Sequence, residues 1–191
     1  MNTRQPLTRT DWIETAFDLL ARQGAKAVRV DLLCKALGVT KGSFYWHFDD
    51  LAALKAAMIA QWRRAAARDL IDTATRTQLS PRDLVVGLFK DVQQRHANGG
   101  SLAETALRQW SSADPVVQKL VRDADNERLA FLTTQIRAAG ITGRAARSRA
   151  AFLYAALIGM EQIAGEPALT PADTEGVIDA ILSGGESTTS V

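Results

Sequence analysis

The chain has 191 residues, 47% hydrophobic and 23% charged, with a net charge of +2; that is enough to bury a core without metal or disulfide support. Its single cysteine, Cys34, excludes an internal disulfide and suits a reducing compartment. The longest apolar run, Ala150 to Met160, falls short of the roughly 20 residues that cross a bilayer, and the polar start Met1 to Pro6 has no secretory pattern, so a cytoplasmic protein with no membrane partner is expected.

Charge is unevenly spread. Residues 1–70 carry 11 Lys+Arg against 7 Asp+Glu, whereas residues 71–191 carry 12 against 14. A basic N-terminal part points weakly towards nucleic acid. Apolar residues recur at helical spacing and no convincing alternating strand pattern is present, so the chain reads as all-α with about nine helices. Helix 1 is expected near 8–23, where Ile13, Ala16, Phe17 and Leu20 form one stripe; Thr8 or Thr10 can cap its start and Gly24 can end it. Helix 2 is expected near 30–37, helix 3 near 41–47 and helix 4 near 51–73, with Asp50 at its cap.

Three later starts share one signature. Ser80-Pro81, Asp114-Pro115 and Thr170-Pro171 each place a capping residue before a proline at the first helical position. Asp83 and Asp173 then fall in the first turn, where the helix dipole favours negative charge. These mark helix 5 near 81–97, helix 7 near 115–139 and helix 9 near 171–183, with helix 6 near 101–112 and helix 8 near 143–164.

The stretch Arg29 to Phe48, RVDLLCKALGVTKGSFYWHF, carries the chemistry. Leu33 and Leu37 are apolar, Gly38 fits a sharp turn needing positive φ, Val39 points to a core, and Thr40 can cap the next helix. Phe44 and Phe48 share one face and are expected to be core. The other face offers Lys41, Gly42, Ser43, Tyr45, Trp46 and His47. Trp46 lies half a turn from Phe44, so both cannot enter one interior. A support helix, a glycine turn and a short helix make a helix-turn-helix, and this face suits a major groove better than solvent. Lys41 can bond a guanine edge or a phosphate, Gly42 allows close backbone approach, Tyr45 and His47 can donate to phosphates, and Trp46 can cover sugar and base.

Helix 1 together with GVTKGSFYWHF resembles the TetR family of bacterial repressors: Gly24, Leu33-Cys34, Gly38-Val39, Phe44-Tyr45, His47-Phe48 and Leu54 match its N-terminal pattern in order and spacing. The resemblance implies a helix-turn-helix DNA-binding domain at residues 1–50. It also implies a ligand-binding and dimerisation bundle at 51–191, with helix 4 linking the two. DNA contacts carried over are Thr40, Lys41, Gly42, Ser43, Tyr45, Trp46 and His47, joined by Arg29 at the start of helix 2 and Lys55 one turn into helix 4. Where the family has a lysine at the start of helix 4, this chain has Leu51 after Asp49-Asp50. The implied partners are double-stranded DNA with a palindromic operator, an unknown small-molecule effector and a second copy of the chain; no cofactor is implied.

Helix 8 mixes small residues (Ala150, Ala151, Ala155, Ala156, Gly159) with large ones (Phe152, Leu153, Leu157, Ile158), and helix 9 offers Val177, Ile178, Ile181 and Leu182. Such a pattern fits either a monomer core or close helix contact across a two-fold axis. The resemblance favours the interface, with Phe152, Ala155, Gly159, Ile178, Ile181 and Leu182 as its candidates. Trp62, Phe89, Trp110, Phe131 and Tyr154 are the ligand-pocket candidates, although each can equally fill a core; His96 can contact a ligand, but a lone histidine near a helix end is more often a partner of the helix dipole. An enzyme is the weaker reading: His47 and His96 are the only histidines, and no HExxH, glycine-rich phosphate loop or GxSxG motif occurs.

Overall fold

The computed structural model describes residues 6–77, 79–97, 101–163 and 169–183, without the side chains of 65–77, 96–97 and 101–103. Among the described residues the regular structure is helical throughout. The helices are α1 Arg9–Gln23, α2 Val30–Leu37, α3 Lys41–His47, α4 Leu51–Thr77, α5 Pro81–Ala97, α6 Ser101–Ser111, α7 Pro115–Ala138, α8 Gly143–Gln162 and α9 Pro171–Ser183, with a 3-10 turn at Ala25–Ala27. The all-α expectation is met. Helix α4 runs past its expected end at Thr73, because alanine and arginine propagate a helix and no glycine or proline intervenes before Pro81.

The caps form where local chemistry requires them. Thr8, not Thr10, caps α1 in a reciprocal box: its Oγ1 accepts the Asp11 N–H while Asp11 Oδ2 accepts the Thr8 N–H at 2.6 Å. Ser80 Oγ accepts the Asp83 N–H at 3.1 Å, and Thr170 Oγ1 accepts the Asp173 N–H at 3.2 Å. Asp50 Oδ1 accepts the Ala53 N–H at 2.7 Å and so caps α4.

The chain divides into two compact units, Met1–Arg64 with Leu102–Arg122, and Ala65–Ser101 with Asp123–Val191. The first is built on Trp12, Ile13, Ala16, Leu20, Leu33, Phe44, Phe48, Leu54 and Met58, all buried. Aromatic rings join α1 to α3: Trp12 meets Phe44 edge-on at 5.4 Å, and Phe44 stacks on Phe48 at 5.6 Å. In the second unit α5 packs on α8 and α9, around Val85, Phe89, Leu132, Ile136, Leu153, Leu157, Met160 and Ile178. Arg82 on α5 bonds Asp179 on α9, and Lys90 reaches Glu175 at 2.7 Å, tying the outer edges of these helices. No helix among the described residues is long and apolar enough to cross a membrane.

Candidate nucleic-acid interface

Helices α2 and α3 meet through a turn that depends on Gly38, whose φ of 68° and ψ of 39° lie in the left-handed region. Its N–H reaches the carbonyls of Cys34 and Lys35, and the Val39 N–H bonds Cys34 O at 3.0 Å, closing α2. Cys34 is buried, and burial pushes its thiol pKa up, as for a core side chain rather than a reactive one. Thr40 stands at the start of α3 in extended conformation, but its hydroxyl makes no capping bond; the Ser43 N–H uses the Thr40 carbonyl instead. The capping role expected of that side chain is therefore not filled.

The period of α3 sorts its residues. Phe44 and Phe48 point inward and are buried, as expected, whereas Trp46 is 86% exposed and Tyr45 57%. Exposing two large aromatics on a seven-residue helix is costly for a free surface and calls for a partner. Lys41 and Gly42 are exposed beside them, and Ser43 and His47 are half-buried. A Cβ built on Gly42 would meet only Thr40 Oγ1, at 3.7 Å, so packing does not demand a glycine there. A glycine in a helix costs about 1 kcal/mol relative to alanine, and nothing within the fold offsets it.

Residues 13–58 match the family model for bacterial regulatory proteins, tetR family. Over that span the chain is similar to the N-terminal domain of the tetR-family regulators. Solved structures share its whole fold: Salmonella enterica GusR superposes with a TM-score of 0.74 at 18% identity, covering 95% of this chain and 99% of that one. A TetR transcriptional regulator from Legionella pneumophila does so at 0.67 and 17%, covering 95% and 97%. A protein from Saccharomonospora viridis in complex with choline gives 0.69 and 17%, covering 91% and 94%. At such identities the likeness is one of fold. No curated protein matches the chain in sequence.

Two further basic positions behave differently. Arg29 is exposed and pairs with Asp31 at 3.0 Å, with no capping bond to α2. Lys55, expected to reach back to a phosphate, instead places Nζ 2.6 Å from Asp114 and 5.2 Å from the centre of the Trp110 ring. A carboxylate within the same unit thus holds the ammonium, a partner that the local sequence did not reveal. Arg9, which the sequence did not single out, stacks over Phe48 at 4.4 Å and donates to the His47 carbonyl. No local signal marks it, because its partners lie in α3 and just beyond it.

The pocket candidates fall in both units. In the first, Trp62 is buried and its Nε1–H donates to Glu104, which is itself buried and also holds Arg108 Nε at 2.8 Å; Trp110 is buried beneath Lys55. In the second, Phe89 is core and Phe131 packs against that core. Tyr154 is half-buried and donates to Asp125 Oδ1 at 2.5 Å; burial above all pushes its pKa up to about 12, so it stays a neutral donor. The His96 side chain lies outside the described residues.

On α8 and α9 the interface candidates separate. Phe152 is 62% exposed and Ala155 is exposed, while Gly159, Ile181 and Leu182 are half-buried, the last two against the core. Ile178 is 1% exposed and fills the protomer's own core; its neighbour Val177, 46% exposed, holds the outer position instead. Consecutive helical residues are turned by about 100°, so the two valine and isoleucine side chains cannot share a face. Ser148, Arg149, Phe152, Ala180 and Ile181 line a shallow open groove on this surface.

Proposed function

We propose that the protein is a dimeric repressor that binds a palindromic operator and is released from it by a small, largely apolar molecule. The observation that carries the reading is the division of α3, with Phe44 and Phe48 buried and Tyr45 and Trp46 projecting beside Lys41 and Gly42. A helix of this kind enters a major groove, with Lys41, Gly42, Ser43 and Trp46 near base edges and Thr40, Tyr45, His47 and Arg29 on the phosphate walls. Lys55 is left out of that set because Asp114 holds it. Residues 1–50 would form the DNA-reading part, and 51–191 the effector-binding and dimerising part.

The exposed apolar strip of Phe152, Ala155 and Val177, continued by Gly159, Ile181 and Leu182, supports pairing of two copies about a two-fold axis. Two such subunits read half-sites about 34–36 Å apart or a multiple of that, hence the palindrome. Phe89, Phe131 and Tyr154 of the second unit are the proposed effector contacts, and a similarly folded protein holding choline supports a small-molecule site. The effector must bind the DNA-free conformation better, since equal affinity shifts nothing. This role needs no catalysis and places the protein in the cytoplasm. Enrichment of genomic fragments by the purified protein tests it: palindromic sites upstream of genes, with transcription rising when the gene for the protein is deleted, are expected. Fragments without a shared site would overturn the reading.

A further inference from the structure

Arg9 lies 38 positions before His47, yet its Nη1 donates to the His47 carbonyl at 3.4 Å. His47 ends α3, so this carbonyl is one that the helix leaves without an intrahelical partner. The same guanidinium lies over the Phe48 ring, 4.4 Å from its centre. Phe48 is buried and stacked on Phe44, so the platform under the arginine is fixed by the core. Arginine has five N–H donors in a planar fork. Only this one bond and the stacking engage it, its side chain is exposed, and no carboxylate among the described residues pairs with it.

Asp49 and Asp50 follow α3 directly and are exposed, which places two negative charges at the same end of the helix. Lys55 is taken by Asp114. A seven-residue helix is only about 10 Å long, and the major groove is about 12 Å wide, so the end of α3 lies within a side chain's reach of a phosphate wall. A guanidinium already ordered by a ring and a carbonyl loses little further freedom on meeting that phosphate.

We propose that Arg9 is a phosphate-binding residue of the DNA interface, held ready at the C-terminal end of α3 by Phe48 and the His47 carbonyl. The proposal rests on the reading of α3 as the groove-entering helix. Full-length wild type, Arg9→Gln and Arg9→Lys are titrated at several salt concentrations against a duplex enriched by the wild type from a random-sequence library. Arg9→Gln keeps a donor for His47 but removes the charge. It should make the log K against log salt slope shallower by about 0.9 and weaken binding roughly tenfold near 0.1 M salt. Arg9→Lys keeps the charge without the planar fork, and should retain the slope with lower affinity. An unchanged slope for Arg9→Gln overturns the proposal, because a merely structural clamp alters affinity and melting temperature but not the number of phosphates neutralised. Should the glutamine variant fail to fold, neutral methylphosphonates stepped through the duplex decide the matter. The loss at one phosphate should differ between wild type and Arg9→Lys, and equal losses at every position overturn the idea. A wild type that enriches no duplex overturns the reading of α3 as well, which separates the two failures.

Discussion

Lys55 Nζ lies 2.6 Å from Asp114 Oδ2, while Asp114 Oδ1 accepts the N–H groups of Val116 and Val117 at the start of α7. One carboxylate thus caps α7 and fixes the first turns of α4. The Lys55 ammonium, ahead of the two backbone N–H groups, holds the Asp114 carboxyl below the usual carboxylate range against the opposing effect of burial. A depressed folded pKa gives stability that is present above the unfolded value, near 4, and is lost as pH falls through the folded one. Thermal melts between pH 5 and pH 2 should therefore fall less steeply for Lys55→Met than for wild type. Asp114→Asn isolates the ion pair, and Asp114→Ala should cost about 1 kcal/mol more through the lost cap. Neither Lys55→Met nor Asp114→Asn should change the salt slope of DNA binding; a shallower slope for Lys55→Met would restore its phosphate role.

Gly42→Ala should raise stability and lower DNA affinity together. The added methyl meets only ordinary contact with Thr40, and alanine gains up to about 1 kcal/mol of helix propensity. Its methyl would stand between α3 and the bases. A stabilised variant with wild-type affinity would remove Gly42 from the interface.

Ala155→Arg and Phe152→Glu should give monomers by light scattering, with the helical circular dichroism of the full chain little changed. Both side chains are on the exposed face of α8. Ile178→Ala, by contrast, should destabilise the protomer itself by about 2–4 kcal/mol, since it opens a cavity in a core where Ile178 is 1% exposed. Wild type that runs as a monomer at micromolar concentration would sink the dimer.

Tyr45→Phe should weaken binding to all sequences alike by removing one phosphate donor, whereas Lys41→Ala should change which sequence is preferred. Parallel selections from one random library with the two variants check this. A changed consensus for Tyr45→Phe would reverse the assignment.

Leu51→Lys adds a cation beside Asp49 and Asp50, at a half-buried position that follows the Asp50 cap. It should tighten binding to specific and nonspecific duplexes alike and steepen the salt slope by about 0.9. A lower melting temperature with an unchanged slope would mean that the leucine is needed for packing instead.

The sequence by itself determined whatever is decided within about one helical turn. The caps at Thr8, Ser80 and Thr170, the left-handed turn at Gly38, and the opposition of Phe44 to Trp46 follow from hydrogen bonds and a 3.6-residue period that need only near neighbours. The helix-turn-helix was legible for that reason, and most candidate positions on α3 are exposed as expected. Only tertiary structure decided the rest. Val177 and Ile178 are equally apolar, and the packing of α9 on α5 determines which one is buried. Lys55 looked free until Asp114, 59 positions away, claimed it, and Arg9 gained meaning only where α1 brings it over Phe48. A charge interacts with whatever the fold places within a few ångströms, and no local pattern records that distance.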